Sequence, residues 1–352
     1  MLDINENLLF TILSLAIGFS YGIIAQRKQF CFSGGIKDLI LFKHTRRTAS
    51  LIVAIATAII FTQITAYNYE IDLTQTRYYL NVNYIFIIIG GLMFGYGMMV
   101  SDGCSSRHLI KLAQRDKDSF FVLLALGLFA YFTYTLISYY SDIINSTLSL
   151  TWATSIEGVA VPYYAVGLIL FYLLYLSLKK CMNIFQCWDG FLIGLLIAFV
   201  WFCTAVVSDY LFLDVSTQSL SFVYPIGRSV QYLHNSLDST YVIFSMWIVA
   251  GVLLGAFISS LFNPQYSKKL QCDSSQQNPP KLAQKVFGGA MMGIGGILTV
   301  GCTVGQGLSG LSTLSLASFL AITSIYISAY LTAKWMHKNN ALIACFVFDF
   351  KC

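Results

Sequence analysis

The sequence predicts an all-α integral membrane protein, and three observations carry that prediction. Of 352 residues, 57% are hydrophobic and only 11% charged, whereas a soluble domain carries about 25% charged residues. Apolar runs recur from Leu8 to Met336 with short polar breaks between them. Lysine and arginine collect in alternate breaks, as they do in multi-pass chains.

A helix needs roughly 20 apolar residues to cross a hydrocarbon core. The runs that meet this need are Leu8–Gln26, Ser50–Tyr67, Tyr84–Val100, Phe120–Tyr140, Pro162–Leu178, Trp188–Val207, Tyr241–Phe262, Val286–Val300 and Leu314–Met336, which gives about nine transmembrane helices. Four semi-polar stretches lie between them, Phe30–Phe42, Ser105–Ala113, Tyr224–His234 and Thr303–Leu311. Each is too short to cross and too apolar for a plain loop, so short re-entrant half-helices are expected there. Asp3 and Glu6 stand where a secretory signal carries positive charge, so the first run is expected to be retained.

The basic clusters Arg27/Lys28, Lys43/Arg46/Arg47, Arg107/Lys111/Arg115/Lys117, Lys179/Lys180, Lys268/Lys269/Lys281/Lys285 and Lys334/Lys338 all fall on one side of this arrangement. Cytoplasmic loops hold such clusters. The opposite loops, Asn68–Asn83, Ser141–Val161 and Ser208–Val223, carry Glu70, Asp72, Asp142, Glu157, Asp209 and Asp214 against Arg77 alone. The amino terminus is thus placed outside a bacterial cytoplasmic (inner) membrane and the carboxyl terminus inside. With a net charge of +5 spread over separated clusters, nucleic acid is not an expected partner. The lipid bilayer is.

A single membrane domain is expected, in parts. Residues 1–262 hold the first part of the bundle and 263–284 a cytoplasmic linker, since Asn263-Pro264, a Ser/Gln-rich run and Pro279-Pro280 break any helix. Residues 285–352 hold the remainder with a short cytoplasmic tail. Gly90-Gly91-Leu-Met93-Phe-Gly95-Tyr-Gly97, reaching Gly103-Cys104, repeats as Gly288-Gly289-Ala-Met291-Met-Gly293-Ile-Gly295, reaching Gly301-Cys302. Under the topology above the copies run in opposite directions, which is the pattern of an inverted pseudo-repeat around a midplane site.

Of nine cysteines, three share a setting: Phe30-Cys31-Phe32-Ser33-Gly34-Gly35, Asp102-Gly103-Cys104-Ser105-Ser106 and Gly301-Cys302-Thr303-Val304-Gly305. Each ends an apolar run and opens a small-residue turn. A short helix starting there points unpaired N–H groups and the positive end of its dipole into the gap, which favours an anion. Gly34, Gly35, Gly103, Gly301, Gly305 and Gly307 let backbone approach a ligand closely, and a thiol adds a weak donor and a polarisable sulfur.

Arg27, Lys28, Lys37, Arg107, Lys111 and Arg228 flank these segments and set orientation or draw anions. Asp38 and Asp102 are expected as ion-pair partners or as proton-coupling groups, and His108 and His234 as interfacial side chains. Cys203, Cys345 and Cys352 read as space-filling, and Cys181 and Cys187 as packing rather than zinc-binding, with no histidine at ligand spacing. No role is assigned to Cys272. No nucleotide-binding loop is present, and neither a cofactor nor a metal is expected.

At these motifs the sequence resembles the YeeE/YedE family of membrane proteins, the sulfur-transport family, from about Ile17 to Tyr330. The family pattern places a cysteine after an aromatic, a second in a Gly-Cys segment, and a third in Gly-Cys-Asn-Ile/Val-Gly followed by Ser-Gly and Ser. Cys31, Cys104 and Cys302 occupy those places, and Gly301 to Ser312 is the most specific match. Gly194 with Trp201 and the Gly251–Leu261 stretch fit weaker parts. Asp102 departs from the small residue usual there, and Ser105-Ser106-Arg107-His108 lacks the common glycine.

The resemblance implies an hourglass bundle through which thiosulfate is handed along by hydrogen bonds to three cysteines without covalent change. It also implies a separate cytosolic sulfur-carrier protein as partner. Two other readings of the same residues remain: a membrane sulfurtransferase that takes a sulfane sulfur covalently, and a transporter of a selenium compound or sulfite.

Overall fold

The computed structural model describes residues 2–43, 45–80, 82–147, 160–162, 167, 172, 175, 187–211, 216–235, 243–262 and 280–342. Helices dominate them: α1 (Leu2–Lys28), α2 (Phe32–Leu41), α3 (Arg46–Asn68), α4 (Tyr84–Val100), α5 (Ser105–Ala113), α6 (Lys117–Thr147), α7 (Trp188–Phe202), α8 (Val223–His234), α9 (Phe244–Phe262), α10 (Leu282–Leu298) and α11 (Leu316–Lys338). Two wide turns, Cys203–Val207 after α7 and Gly305–Gly310 before α11, have the looser π-helical winding.

Seven helical stretches are long and apolar enough to cross a bilayer, with α10 a shorter apolar helix of 17 residues. The chain is a multi-pass membrane protein. Helices stand at eight of the nine predicted spans; the ninth, Pro162–Leu178, falls almost wholly outside the described residues. So do Cys181, Cys272, Cys345 and Cys352 and most of the predicted linker, 263–279. Helix ends overshoot several predicted limits, as where α6 runs on to Thr147, because backbone hydrogen bonding does not stop at the hydrocarbon edge. The four semi-polar stretches are helical as well, in α2, α5, α8 and the turn beyond Thr303.

Phe132, Leu254 and Leu331 point outward from the helices, while serines and threonines such as Ser14, Thr62 and Ser245 are buried. Lipid tails are as apolar as leucine, so burying leucine gains nothing between helices and association rests on close contact. Glycine supplies that contact between α4 and α10. A Cβ on Gly90 would lie 2.8 Å from the carbonyl oxygen of Gly295, and one on Gly97 would lie 2.5 Å from that of Gly288. The other face of α4 packs on α11 and the other face of α10 on α6, while α1 packs on α9 and α3 on α7.

Ion pairs, the largest of them buried, join separate pieces of chain. The Asp102 carboxylate takes the Lys111 ammonium at 2.5 Å on one oxygen and the Lys37 ammonium on the other. Lys111 also donates to the Asp102 backbone carbonyl at 3.2 Å. One aspartate thereby ties α2 to α5. Arg47 meets Asp38 at 3.1 Å, Arg46 meets Asp189 of α7 at 3.6 Å, and Lys285 of α10 meets Asp118 of α6 at 2.6 Å.

Three substitutions test this packing through the thermal midpoint of the detergent-solubilised protein. Asp102→Asn strips the carboxylate from two buried lysines and is expected to cost about 3–5 kcal/mol; an unchanged midpoint would show that the triad does not hold α2 to α5. At Gly95 a Cβ would meet the Ile325 carbonyl oxygen at 2.3 Å, so Gly95→Ala is expected to cost about 1–3 kcal/mol by overpacking. Gly127→Ala should cost less, since the nearest atom, at 2.9 Å, is the side-chain tip of Val230.

Candidate functional site: three cysteine-capped helix breaks

One backbone device occurs three times. The helices α1, α4 and α10 each end in a residue of positive φ, Gln29 (55°), Asp102 (68°) and Val300 (58°). The following N–H in each case reaches back five residues: Phe30 to Ala25 at 3.2 Å, Gly103 to Met98 at 3.0 Å, Gly301 to Gly296 at 2.8 Å. This is the Schellman ending, usually built on glycine. None of the three is glycine, and a β-branched valine in the left-handed region is a strained choice.

The next residue in all three is the motif cysteine, which starts a new helical segment. Cys31 and Cys104 are the N-cap residues of α2 and α5, and Cys302 opens the turn at Thr303. The Cys31 sulfur accepts the Gly34 N–H at 3.4 Å, and the Cys302 sulfur accepts the Gly305 N–H at 3.4 Å. Cys104 instead pairs its sulfur with the Ser106 hydroxyl at 3.3 Å. A sulfur stands where an N-cap oxygen ordinarily does, so each thiol sits at the positive end of a helix.

All three thiols are buried, at 3% exposure or less. Cys31 and Cys104 face each other across a small cavity of about 10 Å³ lined also by Tyr21, Phe30, Phe32, Leu51, Ser106, Thr303, Val304 and Leu308. That is room for about one water. The Tyr21 hydroxyl bonds to Ser106 and lies within electrostatic reach of Cys31, Cys104 and Cys302 together. Segments at residues 30, 104 and 302 thus meet around one tyrosine.

The glycines divide. Gly34 adjoins the Cys31 side chain, with 3.3 Å from its would-be Cβ to that of the cysteine, and Gly305 looks onto the Cys302 sulfur at 3.8 Å. Gly35 instead faces Leu51 and Thr48, Gly103 faces Arg107, Gly301 faces Gln306 and Gly307 faces Ile322. None of these glycines has a positive φ; they supply space, and the left-handed conformation falls on the residue before.

Of the flanking cations, Lys37, Arg107 and Lys111 are buried rather than flank-exposed. Lys37 and Lys111 share Asp102, and Arg107 reaches the Gln29 side chain at 3.4 Å while lying near Cys31. Asp102 and Asp38 are ion-pair partners. His108 is buried and meets Ser119 at 3.0 Å, and His234 lies against the Tyr131 ring. Cys187 and Cys203 are buried free thiols away from the three breaks. Among the described residues no group of three His, Cys, Asp or Glu side chains is placed to hold a metal.

Sequence reasoning gave no bracing role to the residues around the third break: Tyr78 and Tyr79 went unnamed, and Trp201, Ser309 and Ser312 entered only as parts of the family pattern. The Tyr78 hydroxyl donates to the Gly305 carbonyl at 2.9 Å, Tyr79 to that of Thr313 at 2.7 Å, and Ser309 to that of Leu220 at 2.9 Å. The Trp201 indole N–H donates to the Ser312 hydroxyl at 3.0 Å. Tyr21 was missed too. The only signal for it was a hydroxyl in an apolar run, about one turn after Gly18 and next to Gly22.

The pattern that defines sulphur transport proteins matches residues 27–331. A protein of Spirochaeta thermophila named thiosulfate transporter TsuA is 24% identical to this chain over 92% of it and 97% of its own length. The thiosulfate transporter TsuA of Escherichia coli is 21% identical over 92% of this chain and 93% of its own length. A probable transporter of E. coli, YedE, is 24% identical over 40% of this chain and 32% of itself. With the match beginning just before the first cysteine-capped break and running through the last, the chain belongs to the sulphur transport (YeeE/YedE) family.

Proposed function

We propose that this protein takes up thiosulfate across the bacterial cytoplasmic membrane through a central path lined by Cys31, Cys104 and Cys302. The observation that carries the reading is the convergence of three thiols at helix starts around Tyr21, with Cys31 and Cys104 lining one small cavity beside Thr303, in a chain similar over most of its length to two proteins named as thiosulfate transporters. Thiosulfate is a small dianion with a sulfur at one end and three oxygens at the other. Thiols donate weakly to either end, and three helix starts favour its charge without a lysine to trap it.

In this reading α2, α5 and the turn beyond Thr303 are half-helices that enter and leave the membrane on one side. Nine or ten residues at 1.5 Å each reach about 14–15 Å, half of a core of about 30 Å. The packing of α4 on α10 supports the inverted repeat. Gly90 is the register mate of Gly288 and Gly97 that of Gly295, so exchanging the copies turns the Gly90–Gly295 contact into the Gly97–Gly288 contact. The basic clusters support a carboxyl terminus on the inside. Lys37, Arg107 and Lys111, near the Cys31–Cys104 pair, then lie toward the cytoplasm and draw the anion onward, to a separate sulfur-carrying protein.

The test is growth of a host without its own thiosulfate uptake, on thiosulfate as sole sulfur source, with radiolabelled uptake measured alongside. The wild type is expected to support growth, and Cys31→Ala, Cys104→Ala and Cys302→Ala each to slow uptake by about tenfold or more, ~1.4 kcal/mol. Mass spectrometry of the treated protein should find no added sulfur. A persulfide on any of the three would replace this reading with covalent sulfur transfer, and uptake unaffected by all three changes would end it.

A further inference from the structure

Two hydroxyls beside the thiols stand out because the fold leaves them unused. Ser221 is 6% exposed and Thr303 is 1% exposed, and neither Ser221 Oγ nor Thr303 Oγ1 has a hydrogen-bond partner. Buried hydroxyls are nearly always paired, and leaving one unpaired is costly. The surrounding segments meet that requirement elsewhere: Ser309, Ser312 and Thr313 each donate to a carbonyl at 2.7–2.9 Å.

Other buried hydroxyls, such as Thr62, also lack partners, but these two face the site. Thr303 lines the cavity with Cys31 and Cys104. Ser221 Oγ lies 3.1 Å from the point where a Cβ on Gly305 would stand, and Cys302 Sγ lies 3.8 Å from the same point. Hydroxyl and thiol therefore flank one notch that Gly305 leaves open.

The strap carrying Ser221 is fixed on its approach. Thr204 Oγ1 donates to the Gln218 carbonyl at 2.6 Å and accepts the Gln218 N–H at 3.2 Å; Ser219 donates to Ile197 at 3.1 Å, and Ser309 holds the Leu220 carbonyl. A hydroxyl held this firmly with nothing to bond is poised for a ligand, since its ordering is complete before binding.

We propose that Ser221 and Thr303 are the oxygen-side ligands of the path, donating to the sulfonate oxygens of the anion while the thiols take its terminal sulfur. Ser221 serves the anion at Cys302, and Thr303 serves it between Cys302 and the Cys31–Cys104 pair. The inference rests on the transport reading above and adds a selectivity rule: oxygen-bearing sulfur anions are preferred over hydrosulfide, which has no oxygen to receive the hydroxyls.

The experiment uses the full-length protein in proteoliposomes, with radiolabelled thiosulfate as probe and sulfite and hydrosulfide as competitors. Ser221→Ala and Thr303→Val are each expected to raise KM about tenfold, with thermal midpoints equal to or above that of the wild type, because each removes an unsatisfied buried hydroxyl. Thr303→Ser should restore the wild-type KM. Sulfite should lose its competition in both variants while hydrosulfide competes as weakly as before. An unchanged KM in both variants, where Cys302→Ala is impaired, would overturn this inference alone. A lowered midpoint in either, or loss of the protein from the membrane, would show a structural hydroxyl and overturn it as well. Absence of uptake by the wild type would overturn the transport reading, and this one with it.

Discussion

A helix that stops inside a membrane protein leaves amides and carbonyls without partners in surroundings that offer no water, and the central architecture here is the answer to that constraint. At Gln29, Asp102 and Val300 the chain turns left-handed and returns the next N–H to the old helix. A cysteine then opens the next segment with its sulfur beside the new helix's free amides. The ends of three helices are settled by the same few atoms, and the thiols are where they are because the breaks are.

The rest of the bundle holds those breaks together. Glycine contacts bring α4 and α10 close enough for their ends, Cys104 and Cys302, to approach the same Tyr21. Asp102 has two tasks at once: its backbone makes the left-handed turn, and its carboxylate gathers Lys37 and Lys111. That accounts physically for an acidic residue where the family pattern has a small one. Tyr78, Tyr79 and Trp201 fix the third break from other segments.

Much of this was legible in the sequence. The apolar runs gave the helices, the cysteines at the ends of those runs gave the breaks, and the semi-polar stretches gave the short helices, with α5 found to the residue. What escaped was whatever depends on long-range approach. Tyr21, Ser221 and Tyr78 carry no local signal, since a hydroxyl in an apolar run reads the same whether it faces a thiol or a neighbouring helix. The glycines were read as ligand-cradling backbone; the side chains of neighbouring elements that most of them adjoin had no signal in the sequence. Lys37 and Lys111 read as membrane-flank charges because their shared partner, Asp102, is far from one of them in the chain.

The ionic tie through Asp102 has a mechanical side. It makes the turns bearing Cys31 and Cys104 one rigid piece, while Tyr78, Tyr79 and Ser309 weld the Cys302 turn to another. Between the two lie Phe30, Phe32 and Leu51 on one side and Val304 and Leu308 on the other, surfaces with no directional bond to break. In the transport reading proposed above, the path would part along this apolar seam, exposing sulfur on both banks while each bank kept its shape.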